Sequence, residues 1–385
     1  MSEVSEKPQP LKLYFVMGEQ SGENLAIDLL DAFRELNEPV QPIGLGGKRL
    51  KQYGLTSLFD INVLSVTGIS GVIGKLPTII KRVKQTVADI IQKQPDVIVL
   101  IDSPDFGYAV AKRVRKINPN IPIIKYICPS VWAWRPGRAV KMRAFIDQIL
   151  AILPFEPDVM KKLNGPETIY IGHPLMRLIE ENAERDATTP KSPVNLVVLP
   201  GSRKSETSRL LPVVRDTLAL LRERGNSFTA ILPAVDHLIE DIRSSVADWP
   251  VKPEIVAGDD ARIDAFSKAD VALAASGTVT LELALYKVPM VSIYKLDSIM
   301  MMARRFMYAW TASLPNLIAD QAIVPEQFNE FANSNMIARQ IEQLMVAGPA
   351  RQFQLEGFES VAQNMQQSER PGLLAARKIL QVIRS

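Results

Sequence analysis

The chain has 385 residues, 47% of them hydrophobic and 23% charged, an ordinary globular balance at a length that favours two domains over one. A formal net charge of +3 is too small to argue for nucleic acid, and the single cysteine, Cys128, excludes an intrachain disulfide. Two histidines, His173 and His237, would leave a zinc site dependent on carboxylates, so no metal is expected.

The opening MSEVSEKPQP is polar and lacks the apolar core of a secretory signal, so residues 1–10 are expected to be a disordered lead-in. No run of roughly eighteen apolar residues is free of charge, which leaves no spanning helix but allows one lying on a membrane surface. KLYFVMG (Lys12–Gly18) then reads as a buried strand, and Leu25, Leu29, Leu30, Phe33 and Leu36 follow at helical spacing. DVIVLID (Asp96–Asp102) is a second strand, FGYAVAKRVRKI a helix and IPIIKYI (Ile121–Ile127) a third strand. QILAIL (Gln148–Leu153) and TIYIG (Thr168–Gly172) continue the series. Strands alternating with helices predict a parallel sheet covered on both faces, over residues 11–180.

A polar, charged stretch with two prolines follows, and residues 181–193 read as an interdomain linker. VNLVVL (Val194–Leu199) restarts the pattern, with a helix that ends at Gly225, and SFTAIL, PEIVAG, DVALAA and VPMVSIY are further strands of a second domain over 194–350. From Ser334 the chain reads as amphipathic helices, and those over 351–385 are expected to pack back toward the N-terminal domain. The predicted fold class is α/β, two doubly wound Rossmann-like domains facing across a cleft, with ligands outside the carboxyl ends of the strands.

Several strand-end loops could carry chemistry. LPGSRKSE (Leu199–Glu206) places Ser202 and Ser205 as helix caps and Arg203 and Lys204 as cations, which suits a phosphate or an ordinary capped helix. In AASGTVTLELAL (Ala274–Leu285), small residues admit a ligand, and Glu282 either accepts from a ribose diol or stabilises the helix start. GEQSGE (Gly18–Glu23) and GLGG (Gly44–Gly47) lack the G-x-G-x-x-G spacing, so a nicotinamide or flavin cofactor is disfavoured. In IDSPDFGY, Pro104 fits the first turn of a helix, with Asp102 or Ser103 near its cap, and Asp102 at a strand tip is also a candidate general base. YICPSVWAWRPGR (Tyr126–Arg138) is either a loop packed by aromatics or a sugar- or phosphate-facing surface. Two further segments, Ile61–Ile91 and SIMMMARRFMYAW (Ser298–Trp310), join apolar residues to cations, as either core helices or a surface for anionic lipid.

In this order and spacing, GEQSGE, VTGISGVI, IDSPDF, CPSVWAWRPGR, LPFE, GHPL, LPGSR, SGTVTLE, PMVSIY and SLPNLIA resemble the lipid A disaccharide synthases, inverting glycosyltransferases of the GT-B fold. The resemblance runs over nearly the whole chain after residue 10. It implies transfer of 2,3-diacylglucosamine from UDP-2,3-diacylglucosamine to 2,3-diacylglucosamine 1-phosphate (lipid X), giving the lipid A disaccharide 1-phosphate and UDP. The N-terminal domain would hold the acceptor and the C-terminal domain the UDP moiety. It implies no cofactor and no metal, helix dipoles and cationic side chains meeting the leaving diphosphate. The implied partners are these two substrates and the inner face of the bacterial inner membrane, bound peripherally from the cytoplasm, with no nucleic acid and a homodimer permitted.

Carried over position by position, the resemblance implies Asp102 as the general base and Arg203 facing the diphosphate. Ser276, Gly277 and Thr278 would line the nucleotide site, Glu282 would bind the ribose, and Asn316 would lie near the donor. Gly18, Glu19, Ser21 and Gly22 match the first loop, at the reaction centre. Gln20 and Glu23 depart from the family's usual Ala and Asp, and Arg177 stands where an acidic residue is usual, so Glu23, Arg177 and His173 receive no role. Two alternatives stay open: a GT-B UDP-sugar transferase or non-hydrolysing epimerase with a water-soluble substrate, and a binding protein without catalysis. The basic-apolar segments speak against the former, and the intact Asp102, Arg203 and Glu282 against the latter.

Overall fold

The computed structural model describes residues 9–18, 21–64, 69–102, 104–295 and 308–384. The chain divides into two compact units, Met1–Pro174 with Gln367–Ser385, and Leu175–Gln366. Most of the lead-in, Glu19, Gln20, Ser103, residues 65–68 with the first three positions of the VTGISGVI motif, and residues 296–307 with Arg304 and Arg305 lie outside the described residues.

The first unit runs β1 (Leu11–Met17), α1 (Ser21–Glu35), β2 (Val40–Gly44), α2 (Ile69–Lys93), β3 (Val97–Ile101), α3 (Pro104–Ile117), β4 (Ile123–Tyr126), α4 (Arg138–Met142), β5 (Gln148–Ala151), α5 (Glu156–Lys162) and β6 (Glu167–Tyr170). All six strands are parallel, in the order β2-β1-β3-β4-β5-β6. β3 reads VIVLI and is buried at every position, as expected of a strand with helices on both faces. β2 is an edge strand, where Pro42 costs little. One face of the sheet packs against Val83, Val87 and Ile90 of α2 and Val110, Ala111 and Val114 of α3. The other packs against Leu25, Leu29 and Phe33 of α1 and Ala375, Ala376 and Ile379 of the last helix, Pro371–Arg384.

That last helix meets the expectation of a return to the N-terminal domain, and the helix before it, Pro349–Met365, does not. Gly372 allows the close approach, because a Cβ there would come within 2.6 Å of the Asp28 carbonyl oxygen. Arg370 binds Asp28 and, at 2.7 Å, Glu35. Pro349–Met365 stays with the second unit because its buried polar side chains are satisfied there. Arg351 donates to the carbonyls of Ala187 (2.7 Å), Asp270 (2.9 Å) and Leu344 (2.7 Å), and Gln354 bonds the Met290 backbone through both ends of its amide.

The second unit contains α6 (Arg177–Glu181), β7 (Val194–Leu199), α7 (Lys204–Glu223), β8 (Phe228–Ala234), α8 (Ile239–Val246), β9 (Glu254–Ala257), α9 (Asp259–Lys268), β10 (Val271–Ala275), α10 (Thr278–Leu285), β11 (Met290–Tyr294) and β12 (Glu326–Phe328), followed by the helices Ser334–Leu344 and Pro349–Met365. Its parallel strands take the order β12-β11-β10-β7-β8-β9. The three-residue edge strand β12 escaped the sequence pattern because it is too short to show a period. α7 closes as expected at Gly225, which has φ +82°; the Gly225 N–H bonds the Arg222 carbonyl and the Asn226 N–H the Leu221 carbonyl, a Schellman ending.

The stretch 181–193 is not the free linker its polarity predicts. Arg185 donates to the Phe266 (3.0 Å) and Ala269 carbonyls at the end of α9, and the Lys191 N–H reaches Asp270 at 3.2 Å. Lys287 donates back to the Ala183 carbonyl at 2.7 Å. The charges that resembled a solvated linker satisfy exposed carbonyls of the second unit, so the division falls earlier, after Pro174.

Candidate active site

In each unit the strand order reverses beside the first strand, between β1 and β3 in one and between β7 and β10 in the other. The carboxyl ends of strands at such a reversal splay their loops apart and leave a crevice. The candidate residues gather at these two places.

In the second unit, β7 ends at Leu199 and Gly201 turns the chain at φ +105°. The expectation that Ser202 or Ser205 caps α7 is not met. Arg203 is the N-cap, in extended backbone, and no side chain caps the helix. Glu206, in the first turn, instead reaches back to accept the Ser202 N–H (3.3 Å) and Arg203 Nη1 (2.8 Å). Beside it, Leu199 pairs with Ala274 of β10, whose end leads to Ser276, to Gly277 at φ +153° and to α10, again with no side-chain cap. Two helix starts with their positive dipole ends therefore open at one point. A cavity of about 700 Å³ lies there, lined by Gly201, Ser202, Arg203, His237, Arg262, Ser276, Gly277 and Thr278 among others. That volume suits a small-molecule site.

Glu282 does not line this cavity directly. Its carboxylate accepts from Arg262 Nη1 at 2.7 and 2.6 Å, and it is Arg262 that borders the cavity. Arg262 received no role from the sequence, since it lies on a different helix and nothing local marks the pair.

Asn316 is also set apart. It is 1% exposed and spent at both ends: its amide N–H groups donate to the Val324 carbonyl (3.0 Å) and Thr311 Oγ1 (3.2 Å), and its oxygen accepts the N–H groups of Ile323 (3.0 Å) and Val324 (2.8 Å). Glu326 joins the same network through the Ala312 N–H at 3.1 Å, and the Ala312 carbonyl accepts from the Ser276 hydroxyl at 3.0 Å. Asn316 thus holds a loop that reaches the cavity wall.

In the first unit, β1 ends at Met17 and buried Gly18, and α1 opens at Ser21. Gly22 lets α1 seat on the end of β3, since a Cβ there would meet Ile101 Cγ2 at 3.0 Å. Glu23 now has a role. Buried, it accepts the Arg49 N–H at 3.0 Å, and Gly47 leaves room for its carboxylate, so Glu23 fastens the GLGG turn beside the strand tips. Arg177 makes a surface ion pair with Glu181. His173 is buried, which pushes its imidazole down to about 4 and leaves it uncharged at neutral pH.

Asp102 follows β3 as a half-buried residue with φ +54°. Its carbonyl accepts from Lys125 Nζ at 3.0 Å, a buried lysine of β4 that sequence reading passed over. Asp105 lies in the first turn of α3, exposed, 3.2 Å from Arg138. The two aspartates of IDSPDF therefore have different surroundings. Among the described residues no group of three or more His, Cys, Asp or Glu could hold a metal ion, and no helix is long and apolar enough to cross a membrane.

CPSVWAW and LPFE form one packed group. Glu156, buried, accepts the Leu153 N–H (3.1 Å) and Trp132 Nε1–H (3.4 Å), and Trp132 meets Phe155 edge to face at 5.3 Å. Burial pushes the Glu156 carboxyl up to about 8. The folded protein thus holds a proton that the unfolded chain releases near 4.5, so stability falls as pH rises from about 4.5 to about 8. We expect Glu156→Gln to flatten the denaturation midpoint between pH 5 and pH 8; parallel curves for variant and wild type would overturn this.

A model of the lipid-A-disaccharide synthetase family matches residues 13–379. The chain belongs to that family. A lipid-A-disaccharide synthase of Rhodopseudomonas palustris (strain HaA2) is 40% identical over 383 residues, 97% of this chain and 96% of the relative. One from Bradyrhizobium diazoefficiens is 38% identical over 383 residues, 97% of each. Among solved structures, Acinetobacter baumannii MurG superposes with a TM-score of 0.60 at 14% identity, covering 97% of this chain and 99% of that one. A UDP-GlcNAc 2-epimerase from Neisseria meningitidis, bound to UDP-GlcNAc, superposes at 0.59 with 12% identity, covering 97% and 100%. At such identity these structures speak for the fold alone, which is GT-B. This member of the synthetase family is a glycosyltransferase of lipid A disaccharide synthesis.

Proposed function

We propose that the donor is UDP-2,3-diacylglucosamine, the acceptor 2,3-diacylglucosamine 1-phosphate, and the products the lipid A disaccharide 1-phosphate and UDP. The observation that carries this is the cavity at the tips of β7 and β10. Two uncapped helix starts, glycine turns and Arg203 meet there, which is what a diphosphate needs. Arg203 and the two helix ends take up the charge that grows on the leaving diphosphate, and no metal or cofactor is assigned. Ser276, Gly277 and Thr278 approach the nucleotide, and Glu282 acts on the ribose side together with Arg262.

Asp102 serves as the base. Its carboxylate takes the proton of the acceptor hydroxyl, whose oxygen bonds to the anomeric carbon as the bond from that carbon to the diphosphate breaks. The bonding pair leaves with UDP, and the anomeric centre inverts. Incubating the protein with donor and acceptor and weighing the products by mass spectrometry tests the assignment. A tetra-acylated disaccharide 1-phosphate is expected; hydrolysis or epimerisation of the donor without disaccharide would overturn it.

The same proposal puts the protein on the cytoplasmic face of the inner membrane. Leu76 and Ile80 of α2 are exposed beside Lys81 and Lys84, and an apolar groove of Val87, Ile91 and Ile117 is bordered by Lys84, Arg113 and Lys116. Apolar area with a cationic border suits anionic lipid. Flotation with phosphatidylglycerol vesicles is expected to carry the protein at low salt and release it at high salt. Failure to float at low salt would remove the membrane part and leave transfer standing.

A further inference from the structure

Lys125 is out of place in its strand. The rest of β4, Ile123, Ile124 and Tyr126, is apolar and buried, and Lys125 itself is 2% exposed. Placing an ammonium in a sheet interior opposes folding, and an apolar residue of the same volume is commonly as stable or more so. Packing alone therefore does not account for a charge here.

Its hydrogen bonds point to a reason. Lys125 pairs in register with Leu100, near the end of β3, and its side chain runs on toward the strand tip. There Nζ donates to the Asp102 carbonyl at 3.0 Å and to the Tyr126 carbonyl at 3.4 Å. Asp102 holds φ +54°, a left-handed backbone that is uncommon for residues with a side chain but one that Asp adopts more readily than most. We propose that Lys125 is a positioning residue, whose buried ammonium holds the Asp102 peptide in this turn and so fixes the carboxylate that removes the acceptor proton. Burial pushes the ammonium down to about 8, and the negative charge of Asp102 opposes that shift. This role rests on the assignment of Asp102 as base.

Lys125→Met keeps the volume and removes the charge. We expect its Tm to equal or exceed that of wild type and its UDP affinity to stay within about twofold. Its kcat should fall by about 10- to 100-fold with little change in KM, the scale of a misplaced catalytic group. Lys125→Gln, which keeps a donor, should lie between the two and serves if the methionine variant does not fold. A wild-type kcat in both variants would overturn the role. So would a lowered Tm with lost UDP binding, since that marks a structural lysine. In an Asp102→Asn background, Lys125→Met is expected to add nothing, and a further multiplicative loss would count against action through Asp102. If Asp102→Asn alone transfers as wild type does, the base assignment falls and this role with it. If Asp102→Asn is inactive while Lys125→Met is fully active, only the lysine's role falls.

Discussion

Asp102→Asn is expected to lower kcat by about 10²–10⁴-fold, the range for loss of a general base, while UDP affinity stays unchanged. The substitution is a narrow one. Asn tolerates the left-handed backbone at φ +54°, and the Lys125 bond is made to the Asp102 carbonyl oxygen, not to its carboxylate. The cavity assigned to UDP is lined by residues of the second unit alone, so a change in the first unit should not reach it. Steady-state transfer and a UDP titration decide the matter together. Transfer within tenfold of wild type would remove Asp102 as the base. Loss of both transfer and UDP binding would make its part structural.

Arg203→Ala is expected to lower kcat by about 10²–10³-fold, the usual consequence of removing one donor to a developing negative charge. Stability should barely move. The Arg203 side chain is 78% exposed, its pair with Glu206 is a surface contact, and it makes no capping bond to α7. Glu206 would remain beside the diphosphate without its partner and add repulsion. Arg203→Lys should recover part of the loss, since it restores the charge without the planar fork. Thermal melts with transfer assays check this, and an alanine variant that matches wild type in kcat would place the diphosphate elsewhere.

The first turns after the strands were the most legible part of the site. LPGSR and SGTVTLE could be placed between a strand and a helix because both neighbours announce themselves locally, by an apolar run and by helical spacing. Arg262 could not be found in this way. It belongs to α9, and only the folded second unit brings its guanidinium to Glu282 of α10 and to the cavity. Glu23 raised doubt as a departure from a family pattern, and its partner proved to be a turn 24 to 26 residues further on, at Gly47 and Arg49. Lys125 left a signal that could have been read, a single cation inside IPIIKYI, yet its partner Asp102 belongs to another strand. The polar stretch 181–193 misled because polarity looks the same whether water or the carbonyls of a neighbouring helix satisfy it.

Strand and helix identity follow from neighbours within a few residues, so the order of the strands, the α/β class and the strand-tip loops could be taken from the chain alone. Family membership came from motifs kept in order, which is also a linear property. The sheet order is different in kind. It sets Leu199 beside Ala274 and Met17 beside Ile101, pairing strands separated by whole helices, and so chooses which loops share a crevice. No local period encodes that choice. It is made by the burial of both sheet faces at once, and from it follow the separation of Asn316 from the cavity, the engagement of Glu282 by Arg262 and the hold of Lys125 on Asp102.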